Sequence, residues 1–175
     1  MTASKERYSN AFTATLTGIT DLFKKQKDPV VIGPEDSVIG KTILITGASS
    51  GLGFEAAVQL ARRGGHILMA CRSGIPEKGE QVRKQSGSQQ VEMYPVDLAD
   101  LDSVVKLVDK LQKKGVKIDI LIDNAAVVPG GSRKTPQGLE EMFVVNYLSK
   151  FLLIRLLLER SMFNTVSNDV PRIIY

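Results

Sequence analysis

The sequence is poor in the residues that build disulfides and most transition-metal sites. Its one cysteine, Cys71, cannot form an intramolecular disulfide or a multi-cysteine zinc site. With only one histidine, His66, the sequence excludes a multi-histidine metal site. His66 begins an apolar run at the start of a predicted strand, and this position argues against a Ser-His-Asp triad. We therefore expect no metal site, and the single cysteine favours a reducing, cytoplasmic compartment.

Long hydrophobic runs are missing as well. The longest candidate, 151–158, contains Arg155 and is far shorter than the ~18 residues that a membrane span requires. At the N terminus, Lys5 and Arg7 precede a polar, threonine-rich stretch instead of the apolar core of a signal peptide. The net charge of +4 comes from lysines and arginines spread along the chain, so we expect no nucleic-acid partner.

Residues 1–40 have the pattern of an appendage. Apolar residues follow one another at helical spacing there, which predicts a short amphipathic helix: Tyr8, Phe12, Leu16, Ile19 and Phe23. A linker then runs to Gly40. We favour packing of this helix on the domain or on a partner chain, and contact with a membrane surface is the alternative. The predicted organisation is an appendage, 1–40, and a domain, 41–175.

From Lys41 onward, short apolar runs alternate with helical stretches, which is typical of βαβ units. The runs are continuously apolar, so we expect strands that are buried on both faces of a parallel sheet. They lie at 42–46, 66–71, 91–96 and 118–122, with a fifth strand beginning at 172. A long helix is predicted from Leu139 to about Phe163. The fold class is therefore α/β, a doubly wound parallel sheet of the Rossmann type with strand order 3-2-1-4-5, ending as the fifth strand begins.

A glycine-rich motif between the first strand and the first helix carries the sharpest functional signal. Gly47 permits a tight turn, Gly51 lets the backbone approach a pyrophosphate, and Gly53 permits close packing of helix on sheet. The helix N terminus offers unpaired N–H groups to phosphates. We therefore predict a dinucleotide site at Gly47, Ser49, Ser50, Gly51, Leu52 and Gly53.

The residues after the second strand indicate which dinucleotide is bound. An acidic residue there would bind the ribose 2′-OH of NAD, but the sequence has Cys71-Arg72-Ser73 and no acid before Glu77. Arg72 can pair with a 2′-phosphate through charge-assisted hydrogen bonds. We therefore predict NADP(H) as the cofactor.

The form Thr-Gly-x-x-x-Gly-x-Gly, at Thr46–Gly53, resembles that of short-chain dehydrogenases/reductases. The pair Asp97-Leu98 is similar to the family's adenine-binding pair, and Asp123-Asn124-Ala125-Ala126 resembles its Asn-Asn-Ala-Gly motif. Asn146 resembles the helix asparagine that helps hold a proton-relay water. The resemblance implies cofactor contacts at Asp97, Leu98, Asn124, Ala125 and Ala126, and hydride transfer between a nicotinamide and a carbonyl or alcohol carbon.

Gly138-Leu139-Glu140 and Ala70-Cys71-Arg72 look most like the branch with retinol dehydrogenases and protochlorophyllide reductases, which implies a hydrophobic carbonyl or alcohol substrate. Asp123 and Ala126 depart from the family motif, so we expect a slightly altered loop that still binds the cofactor.

The very apolar helix at 139–163 could form a homo-oligomer interface or pack in the core.

The family's catalytic serine, tyrosine and lysine have no counterparts in this sequence. Tyrosine and lysine must lie four apart on one helix, and none of the four tyrosines, Tyr8, Tyr94, Tyr147 and Tyr175, has a lysine four residues later. We therefore expect the cofactor-binding portion of an oxidoreductase, inactive by itself and marginally stable or associating. The alternative is a natural short form that binds a dinucleotide or a partner without catalysis.

Overall fold

The computed structural model describes residues 33, 37–165 and 170–175 of the chain. The predicted N-terminal helix lies outside the described residues, and so do 34–36 and 166–169. The chain has two units, Met1–Glu35 and Asp36–Tyr175, and every element described below belongs to the second.

Five parallel strands form one sheet in the order β3-β2-β1-β4-β5, which confirms the predicted fold class. The strands are β1 (Thr42–Thr46), β2 (His66–Cys71), β3 (Val91–Pro95), β4 (Ile120–Ile122) and β5 (Arg172–Ile174). β3 ends one residue earlier than predicted. β4 begins two residues later, because Ile118 pairs across the sheet edge with Phe163 in an isolated bridge and Asp119 accepts a hydrogen bond from the Thr42 backbone.

Side chains that alternate along the strands build one apolar cluster on each face of the sheet. On one face, Leu44, Leu68 and Leu121 pack with the helices that follow β3 and β4. On the other face, Ile43 and Met69 pack with the helix that follows β1. Burial on both faces explains why β1, β2 and β4 are mostly apolar and gives the sheet a rigid edge on which loops can be placed.

The first three helices are α1 (Gly51–Arg62), α2 (Glu77–Ser86) and α3 (Leu101–Lys113). The carboxylate of Asp100 caps α3 by accepting a hydrogen bond from the backbone N–H of Asp102, as its position in the sequence indicates. α2 ends before Gly87, which adopts the left-handed conformation.

The last helix, α4, is shorter than predicted and is not uniformly α-helical. It consists of Glu141–Phe143, a π-helical turn at Val144–Leu148 and an α-helical part at Ser149–Glu159. The prediction of a helix start at Leu139 was wrong because the carbonyl of Leu139 accepts a hydrogen bond from Thr135 N in a preceding turn. The predicted end near Phe163 was wrong because Ser161 adopts a left-handed conformation (φ 49°) and Phe163 pairs with Ile118.

One side of α4 exposes apolar surface next to the end of β5. Phe151 is 53% exposed, Leu158 58% and Tyr147 61%, and Tyr175, which lines the same groove, is 82% exposed. Within the described ranges, no helix combines the length and the apolar content needed to cross a bilayer. These four side chains line one groove together, so they form a continuous apolar surface of the kind that another part of a protein covers.

Leu121→Ala tests the core. Leu121 is fully buried in the central part of the sheet, so truncation should reduce the free energy of unfolding by about 2–5 kcal/mol. The matched control, Leu158→Ala, removes the same atoms from an exposed position and should change it by less than about 0.5 kcal/mol. Urea unfolding followed by circular dichroism measures both, and equal losses in the two variants would contradict the assigned core.

Candidate functional site

A cleft of about 380 Å³ opens where the carboxyl ends of the parallel strands meet, as expected for an α/β sheet. It lies between the turns that follow β1, β2 and β3 on one side and the turn that follows β4 on the other. Nine predicted site residues line it: Gly47, Ser49, Ser50, Arg72, Asp97, Leu98, Asn124, Ala125 and Ala126. Five further residues line it that the sequence did not single out: Ala70, Ser73, Val96, Val127 and Val145.

The glycine-rich turn leaves open space at the start of α1. Gly47 and Gly51 have positive φ angles of 67° and 54°, which non-glycine residues rarely adopt. A Cβ atom added at Gly51 would meet nothing within 4 Å. Ser50 is the N-cap residue of α1, but its side chain makes no capping hydrogen bond. Backbone N–H groups at this helix end therefore suit phosphate oxygens, and the residues present fit a dinucleotide pyrophosphate.

Gly53 has a different role from Gly51, because it permits the close approach of Asn124. A Cβ atom at Gly53 would lie 2.5 Å from Asn124 Nδ2 and 2.7 Å from the carbonyl oxygen of Gly47. Asn124 Nδ2 donates a hydrogen bond to the carbonyl oxygen of Thr46 (3.1 Å). The hydroxyl of Thr46 accepts a hydrogen bond from Ala125 N (3.1 Å). These bonds join the turn after β1 to the turn after β4, on opposite sides of the cleft.

The β2 and β3 side of the cleft carries a cation and a carboxylate. The Arg72 guanidinium is exposed and makes no hydrogen bond or ion pair with another residue of the described part. Asp97 is held by two local bonds: its N–H donates to Ser103 Oγ (2.9 Å) and its Oδ1 accepts from Ala99 N (2.9 Å). The second carboxylate oxygen of Asp97 is left for a donor in the cleft.

Leu52 and Asn146 are the two predicted site residues whose side chains lie away from the cleft. Leu52 is 79% exposed on the first turn of α1. Asn146 lies in the π-helical turn, where its side chain accepts from Val127 N and donates to Val127 O, both at 2.8 Å. Asn146 therefore fixes the loop that ends the cleft, and the water-holding role implied by the family resemblance stays a prediction.

Asp123 is a buried carboxylate just behind the cleft. Its Oδ1 accepts a hydrogen bond from the hydroxyl of Thr46 (2.9 Å), while its Oδ2 is buried without a hydrogen-bond partner in the described structure. Lys150 Nζ donates to the carbonyl oxygen of Asp123 (3.1 Å) and lies 3.8 Å from Oδ1. Burial raises the pKa of Asp123 above its usual value, and the Lys150 charge and the Thr46 hydrogen bond oppose this only in part. Sequence reasoning missed this role of Lys150, although its spacing of four from Asn146 places both on one helix face.

Cys71 lies beneath the glycine-rich turn at the end of β2. Burial raises the pKa of its thiol to about 11, despite contacts with Ala48 and Ser49 that lower it. The thiol is therefore protonated at neutral pH, which makes it a poor nucleophile and a small apolar packing group.

A profile of the family described as short chain dehydrogenase matches residues 41–174. The chain belongs to this family. Its match covers the sheet, the glycine-rich turn and α4, so the recognition made from the motifs is confirmed.

Curated members of the short-chain dehydrogenase family show the same branch that the motifs indicated. Retinol dehydrogenase 13 of Mus musculus is 37% identical over 150 residues, which are 83% of this chain and 44% of the relative. Protochlorophyllide reductase of Avena sativa is 42% identical over 123 residues, 67% of this chain and 39% of the relative. The chain therefore spans less than half the length of these two relatives.

A solved structure supports the fold. The NADPH-dependent 3-quinuclidinone reductase of Rhodotorula rubra aligns with a TM-score of 0.58 and 28% identity. The alignment covers 77% of this chain and 53% of the reductase.

Gly53→Ala tests the contact between the two turns. The added methyl group would overlap Asn124 Nδ2 and the Gly47 carbonyl, so one of them must shift. We expect a loss of about 1–3 kcal/mol in the free energy of unfolding. The control is Gly130→Ala, where a Cβ atom meets nothing within 4 Å. Chemical denaturation measures both variants, and a Gly53→Ala protein as stable as the control would show that the packing is not tight.

Asp123→Asn tests the buried carboxylate through pH. Because folding raises the pKa of Asp123, its contribution to stability is present below the unfolded-state pKa and is lost as pH rises through the folded-state pKa. Asn does not ionise, so the Asp123→Asn protein does not lose this stability as pH rises. The stability of Asp123→Asn relative to wild type should therefore increase as pH rises from about 4 to 8. Melting temperatures across this range give the difference, and a difference that falls with rising pH would contradict the assignment.

Proposed function

We propose that residues 41–175 bind NADP(H) as the cofactor-binding part of a short-chain oxidoreductase. The reaction is hydride transfer between the nicotinamide and a hydrophobic carbonyl or alcohol. When bound, the cofactor supplies or accepts the hydride. The names of the curated relatives, a retinol dehydrogenase and a protochlorophyllide reductase, support this class of substrate. We further propose a reducing, cytoplasmic compartment, on the basis of the single buried cysteine.

The observation that carries the choice of NADP(H) is the position of Arg72. Its guanidinium lines the cleft, is exposed and has no partner among the described residues. No carboxylate lies between Cys71 and Glu77 to bind a ribose 2′-OH or to repel a 2′-phosphate. Arg72 and Ser73 together offer a positive charge and donors for that phosphate. The NADPH dependence that the name of the 3-quinuclidinone reductase states supports the same cofactor.

The rest of the cleft supports binding of the remaining parts of the dinucleotide. The start of α1 presents backbone N–H groups to the pyrophosphate, and Gly51 leaves room for its approach. The carboxylate of Asp97 would accept a hydrogen bond from the amino group of the adenine. Asn124 and Ala125 would hold the opposite end of the cofactor.

Catalysis requires groups that this chain does not contain. None of its tyrosines has a lysine four residues later, so the pair that moves the proton in this family has no counterpart. We propose that the 175-residue chain binds the cofactor without turnover. The second candidate, a non-catalytic dinucleotide-binding or partner-binding protein, is favoured by the same observation. The exposed apolar side of α4 suits a homo-oligomer in either case.

Arg72→Asp tests the cofactor choice. A carboxylate in place of the guanidinium should weaken NADPH binding by roughly 10–100-fold through loss of a charged hydrogen bond of about 1.5–3 kcal/mol. NADH binding should change by less than about threefold, since NADH lacks the 2′-phosphate. The control is Lys84→Asp, an equal charge change at an exposed position on α2. Fluorescence titration measures all affinities, and equal losses for both cofactors would refute the role of Arg72.

A turnover assay separates catalysis from binding. The purified 175-residue chain, supplied with NADPH and a series of hydrophobic aldehydes and ketones, should bind the cofactor without oxidising it. Absorbance at the NADPH maximum follows the reaction. Substrate-dependent loss of NADPH would show that the chain holds a catalytic group outside the tyrosine–lysine pattern.

A further inference from the structure

Helix α4 holds the turn after β4 at two points. The side chain of Asn146 binds both backbone polar groups of Val127. One helical turn later, Lys150 Nζ donates a hydrogen bond to the carbonyl oxygen of Asp123. The residues between the two contacts, 124–126, all line the cleft. α4 therefore fixes both ends of the segment that faces the cofactor.

The charge of Lys150 also sets the direction of a hydrogen-bond chain. The Thr46 hydroxyl donates to Asp123 Oδ1, and its oxygen accepts from Ala125 N. This arrangement requires an acceptor at Oδ1. Both oxygens of an ionised Asp123 are acceptors, whereas only one oxygen of a protonated carboxyl group is free of the proton. The Lys150 side chain is only 16% exposed and Asp123 is fully buried, so little solvent screens the attraction that favours the ionised form.

We propose that Lys150 is a positioning residue for the cofactor: it holds the turn from Asp123 to Ala126 against the cleft. Lys150 is not among the residues that line the cleft, so it acts on the cofactor through Asp123. The inference rests on the proposed function, because the ligand of this turn is the nicotinamide half of the dinucleotide. The proposed function assigns the 2′-phosphate and adenine half to the other side of the cleft, which Arg72 and Asp97 line.

The test uses the full chain and two ligands, NADPH and adenosine 2′,5′-bisphosphate, which lacks the nicotinamide half. In Lys150→Met, both the donor and the charge are lost. Binding of NADPH should weaken about fivefold or more, as for one lost hydrogen bond with its charge. Binding of adenosine 2′,5′-bisphosphate should stay within about twofold of wild type. Isothermal titration calorimetry gives both affinities for each variant.

Two further variants distinguish positioning from a general effect on the helix. Lys150→Arg keeps a donor and a positive charge, so it should restore NADPH binding to within about twofold of wild type. Arg155→Met removes a cation from an exposed position of the same helix and should leave both affinities unchanged. If Lys150→Met does not fold because the buried charge of Asp123 no longer has a cation beside it, Asp123→Asn/Lys150→Met removes that charge and carries the test. NADPH binding should remain weakened in this double variant because the carbonyl at 123 still lacks its donor.

The outcomes separate the two proposals. A wild-type chain that binds neither ligand contradicts the proposed function itself. A wild-type chain that binds both, with NADPH bound equally well by Lys150→Met, overturns the role of Lys150 alone. Equal weakening of both ligands in Lys150→Met, without rescue by Lys150→Arg, shows a merely structural role and also overturns it.

Discussion

The junction between the turn after β1 and the turn after β4 is the contact on which the cleft depends. Thr46 uses its carbonyl oxygen to accept from Asn124 and its hydroxyl to accept from Ala125 N. The two turns approach closely enough for this only because Gly47 and Gly53 lack a side chain: a Cβ atom at either would lie within 3 Å of an atom of the other turn or of the Gly47 backbone. The geometry of the turn at the start of α1 is therefore a consequence of how two strand ends pack. A site built on adjacent strands of a buried sheet is held rigidly, which suits a cofactor that must be placed accurately.

The sheet and the cofactor cleft follow largely from local sequence signals. Short apolar runs separated by helical stretches predicted the five strands, and the right-handed crossovers of a doubly wound sheet predicted their order. The positions of the glycines predicted the sharp turn at Gly47, the open space at Gly51 and the tight packing at Gly53. Arg72 was predicted to face the ligand from its place after β2, and it lines the cleft with no partner among the described residues. Each of these signals lies within a few residues of the feature that it specifies.

The features that could not be predicted depend on contacts between distant residues or on packing at helix ends. The hydrogen bond from Thr46 to Asp123 joins residues 77 apart, and the contact of Lys150 with Asp123 joins residues 27 apart. Neither has a local pattern. The predicted start of the last helix was wrong for a related reason: the carbonyl of Leu139 accepts a hydrogen bond from Thr135 N in a turn before the helix. The apolar character of α4 was predicted, but which of its side chains are exposed depends on how the helix packs against the rest of the fold. The chain spans less than half the length of the two relatives compared.

The most direct test of the central claim is an amide chemical-shift map of the full chain titrated with NADPH. Binding in the cleft should move the resonances of Gly47, Gly51, Arg72, Asp97 and Ala125 saturably, while amides of α2 and of the exposed side of α4 stay unchanged. Such a pattern would place the dinucleotide across the carboxyl ends of the strands, between the two turns that Thr46 joins. Saturable shifts confined to the exposed side of α4, or no saturable shifts at all, would contradict the account.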